Sequence, residues 1–228
     1  MAFYKINQAT HKGSAMRTGL GIILLSLITV PHITGQDIYP ADSLLSSSKV
    51  FILRKIGILP IAGWQRLSYR SDALNCQYYP SCSNYAAHAI AEKGLILGSF
   101  MATDRIMRCN PSALENHLKV GRGLTADNKY LIDHIDLEPL VETTKSPGLA
   151  ALLSAVVPGT GRAYAGRTHD AFTGFMLFVF SATFAMQTYR EDRPVAAPIF
   201  IGLTTLIYGG EIYGAYRTAK YYQPALQP

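Results

Sequence analysis

Residues 76–109 read CQYYPSCSNYAAHAIAEKGLILGSFMATDRIMRC, a stretch that opens and closes on cysteine and holds the chain's third cysteine at position 82. Ser83 reads as the cap of a helix from about Asn84 to Lys93, and Gly94 as its stop. A second helix follows from about Ile96 to Arg108 and ends at Asn110–Pro111. Phe100, Asp104 and Met107 share one side of it, and Leu97, Met101, Arg105 and Arg108 another. Arg105 and Arg108 occupy the last turn, where the helix dipole favours cations. Two antiparallel helices joined near Gly94 bring the start of one beside the end of the other, so Cys82 approaches Cys109. In an oxidising compartment this predicts a Cys82–Cys109 disulfide, with Cys76–Cys109 as the competing pair. The odd count leaves one thiol over.

The same residues argue against other chemistries. Structural zinc takes four Cys or His ligands, usually in closely spaced pairs, whereas here a C-x5-C pair is followed by a distant third cysteine, and His88 stands six residues past Cys82. Cys82 near a helix start is a candidate nucleophile, but no base partner is readable beside it. The glycine-rich GRG at 121–123 and PGTGRAYAG at 158–166 lack the Gly-Lys-Ser/Thr ending of a phosphate loop and read as turns. No catalytic, metal-binding or cofactor-binding residue is expected.

Outward from this stretch the chain is apolar and sparsely charged: 49% hydrophobic and 16% charged over 228 residues, with net charge +6. Ordinary soluble chains carry about 25% charged residues, so the composition and basic balance favour anionic lipid over nucleic acid as partner. Lys5, Lys12 and Arg17 precede an apolar run, Leu20–Val30, then Pro31 and ITGQ, which reads as a signal peptide over 1–35 cleaved near Gly35–Gln36, or as a short anchor. Residues 36–48 read as a linker. Residues 49–66 read as an interfacial or core helix broken at Pro60, with Val50, Ile52, Leu53, Ile56 and Leu59 on one face and Trp64 beside Arg66. Residues 112–146 read as a polar connector.

From 147 the composition shifts. Residues 171–189 form an uncharged run, and residues 195–216 a second with Glu211 as its one acid. A membrane span needs about 20 apolar residues, so the pair predicts a helical hairpin in the bilayer, turning at 190–194. Gly174, Gly202, Gly209 and Gly210 would allow close helix approach. The fold class is therefore mainly α: a small helical domain over 49–111 followed by a membrane module over 147–228.

The segment 63–111 resembles the YidD family of membrane protein insertion efficiency factors. The resemblance is carried by Gln65 and Arg66, by Cys76, Tyr78, Tyr79, Pro80, Ser81, Cys82, Ser83, Tyr85 and Ala86, and by Ala89, Ile90, Gly94, Gly98, Arg105, Ile106, Arg108, Cys109 and Pro111. The chain departs from the pattern where the family usually has histidine after the last cysteine, which is Asn110 here, and in lacking the family's tail after Pro111. What the resemblance implies is a non-enzymatic, membrane-attached bacterial protein that assists a YidC/Oxa1-type insertase or the Sec components, without a cofactor. Arg66, Arg70, Arg105 and Arg108 would hold it to anionic headgroups. The alternative is an exported envelope-structural or lipid-interacting protein reusing the same domain. The signal segment favours the outside of the membrane, whereas the cations Arg162, Arg167, Arg217 and Lys220 at the hairpin's ends, against Arg190 and Arg193 in its turn, favour the ends inside.

Overall fold

The computed structural model describes residues 39–69, 76–136 and 145–222. The predicted signal segment over 1–35, Arg70 and part of the predicted connector lie outside the described residues. The described architecture is mainly α, as expected, and falls within one compact unit.

The first helix, α1 (Pro40–Ser46), occupies ground that read as linker. Proline at its first position and Asp42 in its first turn suit a helix start. Its Ala41 is fully buried against Ile58, Ala62, Ala87 and Ile90. Helix α2 (Ile52–Ser68) contains Pro60 and is not broken by it. Pro60 lies on the exposed side, while Ile58, Ala62 and Gln65 on the other side are buried. The anchored face carries the helix past the missing N–H.

Helices α3 (Cys82–Lys93) and α4 (Leu95–Arg108) form the predicted corner at Gly94, whose φ of 92° explains the glycine. The cap of α3 is Ser81, whose hydroxyl accepts from the Asn84 N–H at 3.3 Å, so Ser83 falls in the first turn instead. The two helices cross tightly at Gly98, where a Cβ would collide with the backbone of Ala89 and Ile90. Helix α2 runs antiparallel to α3, with Arg54 bonding the Ala91 carbonyl and Gln65 bonding Ser83.

The predicted connector is largely structured. It holds α5 (Ala113–Lys119) and a strand, β2 (Leu131–Ile132), which pairs in parallel with β1 (Tyr78–Tyr79). His117 is buried, and its Nε2 lies 2.9 Å from the Gly123 carbonyl.

The C-terminal module comprises α6 (Pro147–Val156), α7 (Thr160–Tyr164), α8 (Thr168–Arg190) and α9 (Ala196–Tyr221). Helices α8 and α9, of 23 and 26 residues, are long and apolar enough to cross a membrane; α8 extends past both predicted ends, and α9 past its predicted C-terminal end. Helix α9 packs against α8, α6 and α4, so module and central domain share a core. Of the predicted contact glycines, Gly174 makes room for Glu211 within the hairpin. Gly209 and Gly210 admit Phe100 and Thr103 of α4, and Gly202 faces open space. Helices α4 and α9 run parallel, since Phe100 meets Gly209, Asp104 meets Gly214, and Arg108 lies over Tyr222.

Candidate functional site: three thiols above a buried ion network

The site grows from the two ends of the α3–α4 corner. Cys82 is the first residue of α3, Cys109 caps the end of α4, and Cys76 enters β1 from the preceding loop. The pairing of β1 with β2 and the bond from the Tyr78 hydroxyl to the Arg108 carbonyl (3.2 Å) seat Cys76 and Gln77 beside Cys109. The three Sγ atoms lie within 4.8 Å of one another. Cys76 and Cys82 hold their sulfurs 3.1 Å apart. The predicted Cys82–Cys109 disulfide is absent and all three cysteines are free. Helix geometry brought Cys82 and Cys109 together as expected, but the strand pairing adds Cys76, giving a triangle instead of a pair.

The sulfurs draw hydrogen-bond donors. The Cys82 N–H donates to Cys76 Sγ at 3.2 Å, and Gln77 Nε2 approaches Cys109 Sγ at 3.5 Å. Hydrogen bonds from the other two thiols, Cys76 first, hold the Cys109 thiol well below its ordinary range. The bond to Cys109 pushes Cys82 up. One side of the triangle packs on Tyr78, Ala113 and Leu131. The other lines an open cavity of about 1030 Å³ walled by Ile61, Trp64, Tyr69, Tyr79, Ile106 and Tyr130. Among the described residues, these three cysteines form a group of ligand-type side chains close enough to hold one ion.

Beneath the thiols lies a network of buried charge. Asp104 on α4 faces Arg108 (3.1 Å), Arg162 on α7 (2.9 Å) and Arg217 on α9 (3.7 Å). Arg162 also pairs with Glu211 at 2.8 Å, and Arg108 with Asp133 at 2.9 Å. Burial alone would raise the Asp104 carboxyl, but Arg108, Arg162 and Arg217 overcome it and hold the group at about 2. Asp133 is likewise held low, against burial, by Arg108 and Arg105. Arg105 is stacked between Tyr78 and Tyr85, at 4.7 and 4.3 Å from the ring centres, and bonds the Pro80 and Asp133 carbonyls, each at 2.7 Å.

The family-motif residues are mostly framework. Gln65 is buried and accepts the Ala41 N–H at 3.0 Å, fastening α1 to α2. Arg66 pairs with Asp42 at 2.8 Å. Tyr85 accepts from Arg217 at 2.8 Å. Ser83 bonds Gln65, while Tyr79 and Pro111 are exposed. Arg105 and Arg108, expected at headgroups, are fully buried and paired, so neither can reach lipid phosphate. Three of the four cations counted at the hairpin's ends, Arg162, Arg167 and Arg217, are also buried beside carboxylates. Asn110 donates to Asp170 at 2.6 Å, so the residue that departs from the family pattern is one of those that tie the central domain to the C-terminal module.

The network itself escaped the sequence reading. Its signal was a lone acid inside each apolar helix, Asp104 and Glu211, which a buried position obliges to find a cation.

Comparison with known proteins agrees with this framework. Residues 53–117 match the YidD family, described as "Putative membrane protein insertion efficiency factor". A relative of that description in Oleidesulfovibrio alaskensis is 49% identical over 59 residues, covering 26% of this chain and 69% of its own. One in Legionella pneumophila (strain Lens) is 45% identical over 60 residues, covering 26% and 74%. Another, in Marinobacter nauticus, is 39% identical over 61 residues, covering 27% and 63%. No solved structure matches significantly. The C-terminal module lies beyond the matched residues. With the motif's arginines, tyrosines and cysteines assembled into one framework, and with relatives aligned over most of their length, the chain belongs to the YidD family of insertion efficiency factors.

Proposed function

We propose that the protein is a non-enzymatic, membrane-attached factor that assists insertion of proteins into the bacterial membrane, its central domain dipping into the lipid while fixed to its own hairpin. The observation that carries this is the parallel register of α4 and α9. An apolar bilayer core about 30 Å thick takes about 20 helical residues, which from Ala196 reaches about residue 215, alongside Asp104. The first turns of α4 then lie at lipid depth, and their outward side chains are Leu95, Ile96 and Leu97. The near end of α2 adds exposed Leu53 and Ile56. Asp104, Glu211 and Arg162 at that level face protein, while Glu92 and Lys93 at the tip of the corner are exposed, Lys93 paired with Asp136 at 2.9 Å. An apolar corner held at fixed depth beside a span offers an entering apolar segment a surface partly screened from water. A YidC/Oxa1-type insertase or a Sec component is the partner that the family name supports.

The test has two parts. Cells lacking the protein should insert a reporter membrane protein more slowly, and the full chain should restore the rate where an Ile96→Asp, Leu97→Asp double variant does not. A reporter active only outside the cytoplasm, fused after Lys145, should stay silent. Unchanged insertion in its absence would refute the reading, and strong reporter activity would favour the exported envelope protein instead.

A further inference from the structure

The three-thiol corner goes beyond insertion, and neither the fold nor lipid contact requires it. Three cysteines buried simply as small apolar side chains have no need for N–H donors aimed at sulfur. Here a backbone N–H and a glutamine amide both point at sulfurs, at 3.2 and 3.5 Å, the arrangement that steadies thiolate ligands from outside the coordination sphere. One zinc ion with bonds to sulfur of about 2.3 Å needs its sulfurs about 3.8 Å apart. The three Sγ atoms already lie within 4.8 Å of one another, and small side-chain rotations that widen the 3.1 Å Cys76–Cys82 separation would seat an ion.

We propose that Cys76, Cys82 and Cys109 form a trithiolate site for a thiophilic d10 metal ion, Zn(II) or Cu(I). Thiolates select these ions over harder cations. Because all three residues also line the apolar cavity, Zn(II) would complete a tetrahedron with an exchangeable ligand on the cavity side, whereas Cu(I) is satisfied by three sulfurs alone. The site would clamp the loop before β1 to both ends of the helix pair, fixing the cavity wall that carries Tyr79. His88 takes no part, since its Nδ1 faces Glu92 at 3.9 Å.

The full chain, purified in detergent with thiols reduced and without oxygen, is loaded with Zn(II), stripped with a weak chelator and assayed for bound metal. In parallel it is titrated with Co(II), whose thiolate charge-transfer absorption counts sulfurs, and with Cu(I) against a chromophoric competitor. The expected result is one ion per chain with three sulfurs bound. Affinity should fall at least tenfold in each of Cys76→Ser, Cys82→Ser and Cys109→Ser, and His88→Ala should leave it unchanged. The Co(II) spectrum of the unaltered chain keeps the proposal testable if a serine variant fails to fold. Zinc retention identifies the four-coordinate form, and Cu(I) retention alone the three-coordinate one. Retention of neither ion, a cobalt spectrum without thiolate absorption, or a Cys76–Cys82 disulfide in protein taken directly from cells would overturn it.

Discussion

Asp104→Ala should separate the central domain energetically from the hairpin. Asp104 is fully buried and faces Arg108, Arg162 and Arg217 within 3.7 Å, each arginine also buried. Removing one partner from a buried ion cluster strands the others, typically at about 3–5 kcal/mol. Glu211 and Asp133 would remain to share three arginines, and the space left cannot be refilled, because Gly214 beside it has no side chain to offer. In a chain of this size each kcal/mol shifts the melting temperature by about 2–4 °C, so Asp104→Ala should melt at least about 6 °C lower, followed by circular dichroism in detergent. Asp104→Asn keeps the shape and loses the charge, and should recover only part of the loss. A double-mutant cycle with Arg162→Met should return a coupling of at least about 1 kcal/mol. Melting within about 1 °C of the parent, or additive single effects, would refute the view that this cluster fastens the family domain to the membrane module.

Acid should weaken the same joint. Asp104 and Asp133 are both held below free carboxylates, so their stabilisation is complete above pH about 4 and is lost on acidification, for Asp104 as pH falls through about 2; the melting temperature should drop over that window, and less steeply in Asp104→Asn. Gly98→Ala should cost about 1–3 kcal/mol, because its new methyl meets the Ala89 and Ile90 backbone, which cannot yield as a side chain would; a melting temperature equal to the parent's would show the α3–α4 crossing to be looser than described. Trp64, the chain's single tryptophan, is half exposed and level with Ser83, at the end of α2 away from the lipid corner. In reconstituted vesicles its fluorescence should be quenched more by lipids brominated near the headgroup than by those brominated deep in the chain, and the reverse order would invert the proposed depth.

What was legible in the sequence followed from strong local signals. Long apolar runs marked α8 and α9, and Gly94 marked the corner because only glycine readily takes φ near 92°. Helix α1 was hidden by its shortness and its flanking serines, since only Ala41 is fully buried and Leu44 and Leu45 pack partly buried beside it. Pro60 suggested a break because the sequence does not say that the missing hydrogen bond lies on the exposed side. The arginines were assigned to the surface because unpaired arginine belongs there. Their acids stand far off in the chain, with Arg162 58 positions from Asp104 and 49 from Glu211, beyond the reach of any helical spacing.

That long-range pairing explains how one chain can be basic overall and still bury several of its arginines. A buried cation is tolerated when protein covers it and an acid answers it. Arg108, Arg162 and Arg217 meet both conditions through Asp104, Asp133 and Glu211, each contributed by a different segment. Such an arrangement closes only when α4, α7 and α9 are all in place, so the network couples the family domain to the packing of the C-terminal helices against it. Asn110 fits the same logic, because it donates to Asp170 across the seam, which the family's usual histidine would do only in a suitable tautomer or charge state. Asn110 and the ion network thus join the matched domain to the C-terminal module by two kinds of contact, a neutral amide and buried charge.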